Sequence, residues 1–375
     1  MMKSFTLAAV AACASTAFAQ THTSCNPLNT TGCPDMAALG SNATFDFTQK
    51  GIPTGGKIWA HMNQGTQGWD AKEGATFTIE RSGDSPQIQS LFYLFFGRVE
   101  VILKAATGTG IVSSAILQSD DLDELDWEFL GSNTTHVFTN YYGKGNTTYG
   151  NRGAEFPMAA PQNDFHNYTL DWTKDRTQWW LDGQMIRELA FGDALGGRNY
   201  PQTPMNLRIG MWAGGDTRNN APGVVQWAGG ATDFSKGPFT MAVKSVYAKD
   251  YTEGKVYSWA NMDASGDWQK IKVVSGGASD PSPVLKEIQS PSGVRNHWKS
   301  LPEGAKIGII AGSLGLLAVG MCLMAVCCVK QRRAGRLEHA ALLAEERREA
   351  AELKEYKRQM ETGQFAMGNQ GYSKV

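Results

Sequence analysis

Charge is scarce in this sequence, and neither sign dominates. Only 19% of the 375 residues are Asp, Glu, Lys or Arg, and 35 Lys+Arg stand against 36 Asp+Glu. That balance argues against a nucleic-acid binder, which needs a concentrated basic face, so no nucleic-acid partner is expected. With 42% hydrophobic residues the chain is also unlike a largely disordered one. The six His are scattered, without spacing for a metal site or a nucleophile's partner. Residues 51–57 (GIPTGGK) approach a phosphate loop, but Ile58 stands where Ser or Thr is required. No metal and no cofactor are expected.

Cysteine is almost as rare, and its placement follows two apolar stretches. Residues 1–19 read as a secretory signal: Lys3, an apolar run, then Ala17-Phe18-Ala19 in the small-x-small cleavage pattern. Residues 307–329 contain no charged side chain, and 23 residues span about 35 Å as a helix, enough for a bilayer core. Lys330, Arg332, Arg333 and Arg336 follow, favouring a cytosolic tail over residues 330–375. Much of that tail, residues 337–360, has helix-forming composition. The near-neutral total therefore adds two unlike parts: ten Lys+Arg against seven Asp+Glu from Lys330 onward, and twenty-five against twenty-nine before it. Cys13 leaves with the signal, and Cys25 with Cys33 is the only other pair outside the span, a small loop disulfide in an oxidising compartment. Cys322, Cys327 and Cys328 lie within the span or at its inner end. Sequons at Asn29, Asn42, Asn133, Asn146 and Asn167 suit a glycosylated outer part.

What is abundant is β texture. Short alternating runs such as residues 76–80 (TFTIE), 97–103 (GRVEVIL), 168–172 (YTLDW) and 206–211 (NLRIGM) are separated by Gly, Asn, Asp and Pro. They predict one large all-β domain, a sandwich or barrel, over residues 20–272. Residues 273–306 turn to Ser, Gly and Pro and are expected to be a stalk.

The decisive segment is residues 120–131, DDLDELDWEFLG. On a strand, residues two apart share a face, so Glu124, Asp126 and Glu128 point one way and Leu125, Trp127 and Phe129 the other. An acidic solvent-facing edge or a calcium site would also use such acids. Retaining glycoside hydrolysis supplies a sharper reason, because it needs a paired nucleophile and proton donor. Two residues four apart on a strand have Cα atoms about 13 Å apart, so their side chains must lean together.

Taken with residues 139–148 (TNYYGKGNTT), WAGG at residues 212–215 and 227–230, and the early Cys25/Cys33 pair, ELDWEFLG resembles glycoside hydrolase family 16, and within it the fungal Crh-type cell-wall transglycosylases. The resemblance covers about residues 20–272. It implies a concanavalin-like β-jelly-roll sandwich with a sugar groove, here joined to one C-terminal transmembrane helix and a helical tail. It implies transfer of a chitin donor onto a β-glucan acceptor, with some chitinase-like hydrolysis. Glu124 would be nucleophile, Glu128 general acid/base and Asp126 their assistant. Glu128, Arg208, Trp212, Tyr141 and Trp227 would contact sugar. The expected location is the plasma membrane, single-pass, with the catalytic domain facing the wall. A hydrolytic endo-β-glucanase, or a non-catalytic wall-binding lectin-like anchor, remain the alternatives.

Overall fold

The computed structural model describes residues 22–52, 58–62, 64–148, 152–276, 280–290, 298 and 301–361. The chain divides into two units, residues 1–290 and 291–375. The expected signal, residues 1–19, lies outside the described residues.

In the first unit, alternation of apolar and polar residues has produced the expected β-sandwich. One sheet has the order β11 (Ala154–Pro157), β10 (His136–Tyr142), β9 (Glu124–Leu130), β8 (Ile111–Ser119), β15 (Met205–Ala213), β6 (Gln87–Ser90) and β3 (Trp59–Met62). Its ladders are antiparallel. The other sheet runs β14 (Gln184–Ala190), β13 (Arg176–Leu181), β12 (His166–Trp172), β7 (Gly97–Lys104), β16 (Phe239–Asp250), β5 (Gly74–Ile79) and β4 (Thr66–Asp70), with β2 (Asn42–Asp46) also on β16. A small third sheet joins β1 (Met36–Ala37), β17 (Gly254–Ser258) and β18 (Lys272–Ser275).

The core lies between the two large sheets. Strand β7 (GRVEVILK) buries every second residue, the period-2 signature of a half-buried strand. Leu125, Trp127 and Phe129 of β9 are buried there as predicted. Trp127 and Phe129 meet Tyr168 of the opposite sheet edge-on, with ring centroids 5.4 and 4.5 Å apart. Burying such a side chain contributes about 1.5–3 kcal/mol, so the face of β9 turned away from the acids anchors the strand. Trp179 adds a directional bond, its Nε1 donating to the Asp126 carbonyl at 3.0 Å. Cys25 and Cys33 are bonded, as expected.

The stalk needs correction. Part of residues 273–306 is folded: β18 pairs with β17, and helix α3 (Pro283–Gln289) buries Val284 and Leu285. Ser282 caps that helix by accepting from the Leu285 N–H at 3.0 Å, and Pro283 stands in its first turn. The Ser/Pro composition that suggested a linker is here a helix start. Two shorter helices, α1 (Phe47–Lys50) and α2 (Pro222–Trp227), interrupt the strands.

The second unit is built on one helix, α4 (Glu303–Glu361), of 59 residues. It contains an 18-residue window of mean hydropathy 2.3, long and apolar enough to cross a membrane. The predicted span, residues 307–329, and the predicted tail helix, residues 337–360, belong to this single helix.

Candidate active site

Strand β9 begins at a tight turn held by buried polar groups. Ser119 N–H donates to the Asp123 carbonyl at 2.8 Å and Leu122 N–H to the Ser119 carbonyl at 3.1 Å, closing the β8–β9 hairpin. Leu122 takes φ 67°, a left-handed conformation that costs a bulky residue on the order of 1–3 kcal/mol. The fully buried Asp123 holds that conformation in place. It accepts from the backbone N–H groups of Lys144 (2.9 Å), Gln202 (2.7 Å) and Thr203 (3.2 Å), and pairs with Lys144 Nζ at 3.2 Å. Asp121 beside it is pushed up to about 7 by burial and by the charge of Asp123. Lys144 is thus committed to the turn rather than to a ligand.

Directly opposed residues of an antiparallel pair share a face, so register defines what surrounds the acids. On β10, Tyr142 stands opposite Glu124, Asn140 opposite Asp126 and Phe138 opposite Glu128. On β8 the partners are Gln118, Ile116 and Ser114. Beyond β8, strand β15 places Asn206, Arg208, Gly210 and Trp212 on the same outer face. Every residue of β8 and β15 is buried on both faces, so this face is a recessed floor. The structure therefore brings together Glu124, Asp126, Glu128, Arg208 and Trp212 as expected from the sequence. Tyr141 does not join them. It pairs with Leu125 on the core side and is 2% exposed; its neighbour Tyr142 occupies the outer face instead. The register of β10 against β9 fixes this, and a one-residue difference reverses every side chain.

Mutual electrostatics confirm the proximity. Asp126 is held well above the usual carboxylate range by burial, then by the charges of Glu124 and Glu128 and a hydrogen bond with Glu124, against the opposing pull of Arg152. Burial and like charge thus favour the protonated form of Asp126, which can donate toward Glu124. Glu128 keeps a partial opening to the outer face, but its carboxyl is enclosed enough that burial and the Glu124 charge push it up to about 8. Gln118 Nε2 donates to Glu124 Oε2 at 2.8 Å, which favours the charged form. Tyr142 is pushed up to about 12 by burial and all three acids, with the Arg152 guanidinium 4.0 Å above its ring. A carboxylate favoured by a donor, close to a carboxyl that burial keeps protonated, suits an acid–base pair. Among the described residues no group of His, Cys, Asp and Glu is arranged to hold a metal ion.

The two WAGG motifs explain each other. Trp212 and Trp227 stack with centroids 6.1 Å apart and planes at 20°. Their glycines permit this, since a Cβ on Gly215 would stand 2.2 Å from the Gly230 carbonyl oxygen. The tryptophans, with Val112, Leu130 and Phe138, form an apolar patch beyond Glu128. Trp227 is 38% exposed, Trp212 only 9%, so Trp227 is the open platform and Trp212 its support.

Arg208 is 2% exposed, with its guanidinium on Asn206 Oδ1 and the His22 carbonyl. Sequence reading missed three groups here: His22, Gln118 and Gln87. Gln87 is 1% exposed on the outer face of β6, opposite Gly210, and its side-chain amide has no hydrogen-bond partner among the described residues. Only β alternation hinted at Gln118; nothing local marked His22. Of the sequons, Asn29 and Asn42 are exposed, while Asn133, Asn146 and Asn167 are partly buried. Asn133 and Asn146 each accept from the Thr two residues on, at 3.1 and 3.0 Å.

Residues 57–229 match the family model of glycosyl hydrolases family 16. Crh-like protein 2 of Botryotinia fuckeliana is 46% identical over 353 residues, covering 93% of this chain and 76% of that protein. The chain belongs to the fungal Crh-type proteins of glycosyl hydrolase family 16. Crh-like protein 3 of Aspergillus fumigatus is 43% identical over 362 residues, covering 95% of each chain. A solved Crh5 transglycosylase in complex with NAG superposes with a TM-score of 0.62 at 50% identity, covering 66% of this chain and 99% of that one. This Crh-type chain is accordingly an enzyme of the glycosidase/transglycosylase class.

Proposed function

We propose that this enzyme cleaves a chitin donor and transfers it with retention onto a β-glucan acceptor, crosslinking the cell wall from the outer face of the plasma membrane, with α4 as its single-pass anchor. The observation that carries the chemistry is the unlike surroundings of two glutamates on one face: Gln118 Nε2 donates to Glu124 at 2.8 Å, while burial and the Glu124 charge hold Glu128 raised, with Asp126, also raised, between them. The ionised Glu124 attacks the anomeric carbon. The glycosidic C–O bond breaks as Glu128 gives its proton to the leaving oxygen, leaving a glycosyl ester on Glu124. Glu128, now a carboxylate, takes the proton of an acceptor hydroxyl, whose oxygen attacks the same carbon and frees Glu124. Asp126 donates to Glu124 and steadies its charge in the ground state and on departure. Tyr142 and Trp227 offer aromatic faces for sugar rings on either side of the acids, and Gln87 an amide for hydroxyls. Chitin as donor is supported by the NAG complex of the related transglycosylase.

The test uses the full-length chain in detergent with chitin and a fluorescent β-glucan oligosaccharide. Labelled polymer forms with wild type and disappears, by about 10³-fold or more, with Glu124→Gln. Shortened sugars alone would mean hydrolysis, and binding without any product a lectin.

A further inference from the structure

The stretch preceding the Cys25–Cys33 bridge lies on the neighbours of Glu124, and the mechanism above makes no use of it. His22 donates its backbone N–H to Gln118 Oε1 at 3.4 Å. Its carbonyl accepts from Arg208 Nη1 at 3.3 Å and Nη2 at 3.2 Å, and its ring Nδ1 lies 3.3 Å from the same Nη1. Three residues later the disulfide to Cys33 ties the stretch to the following loop.

Gln118 is fully buried, and its Nε2 is the group that meets Glu124 Oε2 at 2.8 Å. A side-chain amide has a donor end and an acceptor end, and a carboxylate accepts only from the donor end. Turned over, the amide would set Oε1 against Glu124 and weaken the very charge that attack requires. What decides between the two orientations is the group at the far end of the amide. Here that group is a backbone N–H, which can only donate. The other charged or titratable groups around Glu124 are Asp126 and Glu128 on its own strand, Tyr142 on β10, Arg152 from the chain before β11, and Arg208 on β15. None of them fixes the orientation of Gln118.

We propose that His22 is a positioning residue of the active site: its main-chain N–H holds the Gln118 amide with the nitrogen toward Glu124, and its carbonyl seats Arg208 beside them. The inference rests on Glu124 being the nucleophile. It gives the N-terminal disulfide a catalytic purpose, since the bridge fixes the stretch that carries His22.

The experiment is a double-mutant cycle on the full-length chain in detergent, read as kcat for transglycosylation. His22→Pro removes the N–H and keeps the carbonyl; it lowers kcat about tenfold, the effect of one hydrogen bond to a charged network. His22→Ala, which keeps the N–H, restores most of that loss. In a Gln118→Ala background His22→Pro has no further effect. A second arm avoids proline: the double change Cys25→Ser with Cys33→Ser frees the stretch, and must lower kcat more when Gln118 is present than when it is Ala, the remaining loss coming through Arg208. Equal losses in the two backgrounds, or wild-type kcat for His22→Pro, would overturn the proposal. Glu124→Gln run alongside separates the layers, because activity in that variant would overturn the nucleophile itself, whereas failure confined to the cycle leaves the nucleophile standing.

Discussion

The two ends of strand β9 carry the same side chain in opposite surroundings. At one end Glu124 is 4% exposed, accepts from Gln118 Nε2, is bonded to Asp126 and feels the positive charge of Arg208. At the other, Glu128 faces Ser114 and Phe138, and beyond them the Trp212/Trp227 patch. Donors and a cation favour a carboxylate; an apolar, partly closed recess favours a carboxylic acid. One strand thereby holds a nucleophile and a proton donor, and the difference is made by β8, β10 and β15 rather than by β9 itself.

The largest effect belongs to the turn that aims the Glu124 end. Asp123→Ala removes the carboxylate shared by three backbone N–H groups and Lys144 Nζ, leaving that ammonium to the Tyr200 carbonyl, so stability falls by about 3–5 kcal/mol, read by denaturant unfolding. An unchanged midpoint would mean that the turn stands without it. Next comes the bridge between the ends. Asp126→Ala lowers kcat about 10²-fold, whereas Asp126→Asn, which still donates to Glu124, loses only about tenfold. Equal losses would contradict a neutral, donating Asp126.

The Glu128 end is sharpened by pH. A proton donor raised to about 8 gives kcat/KM a descending limb there, since the acid is lost as pH rises. Stability follows the same sign. The folded pKa lies above the unfolded value near 4.5, so folded Glu128 binds its proton more tightly, and stability declines as pH rises from about 4.5 toward 8. Glu128→Gln should therefore melt above wild type at pH 7, with the gap closing near pH 4; a constant gap breaks the assignment. The smallest effect is at the patch: Trp227→Ala raises KM a few-fold, to about tenfold, with kcat nearly kept.

How much of this was legible in the sequence follows the same division. The alternation of residues 124–129 was enough to separate acids from core, because period 2 is local. The choice between Tyr141 and Tyr142 depends on pairing register with β9, which the intervening loop sets and no local pattern reveals. His22 and Arg208 are 186 residues apart in sequence, so their meeting needed the fold. The Ser282-Pro283 helix start was hidden among linker-like residues. The membrane-length part of the 59-residue helix, in contrast, was plain from the uncharged run of residues 307–329, whereas its unbroken continuation into residues 337–360 was not.

The central claim is that Glu124 bears the glycosyl group and Glu128 moves the proton. Glu128→Gln, given a chitooligosaccharide whose dinitrophenolate leaves without protonation, completes the first half-reaction but lacks the base for the second. Intact-protein mass spectrometry should then find the glycosyl increment accumulating, and peptide mapping should put it on Glu124. An adduct on another residue, or none while dinitrophenolate is released in a burst, would contradict the account.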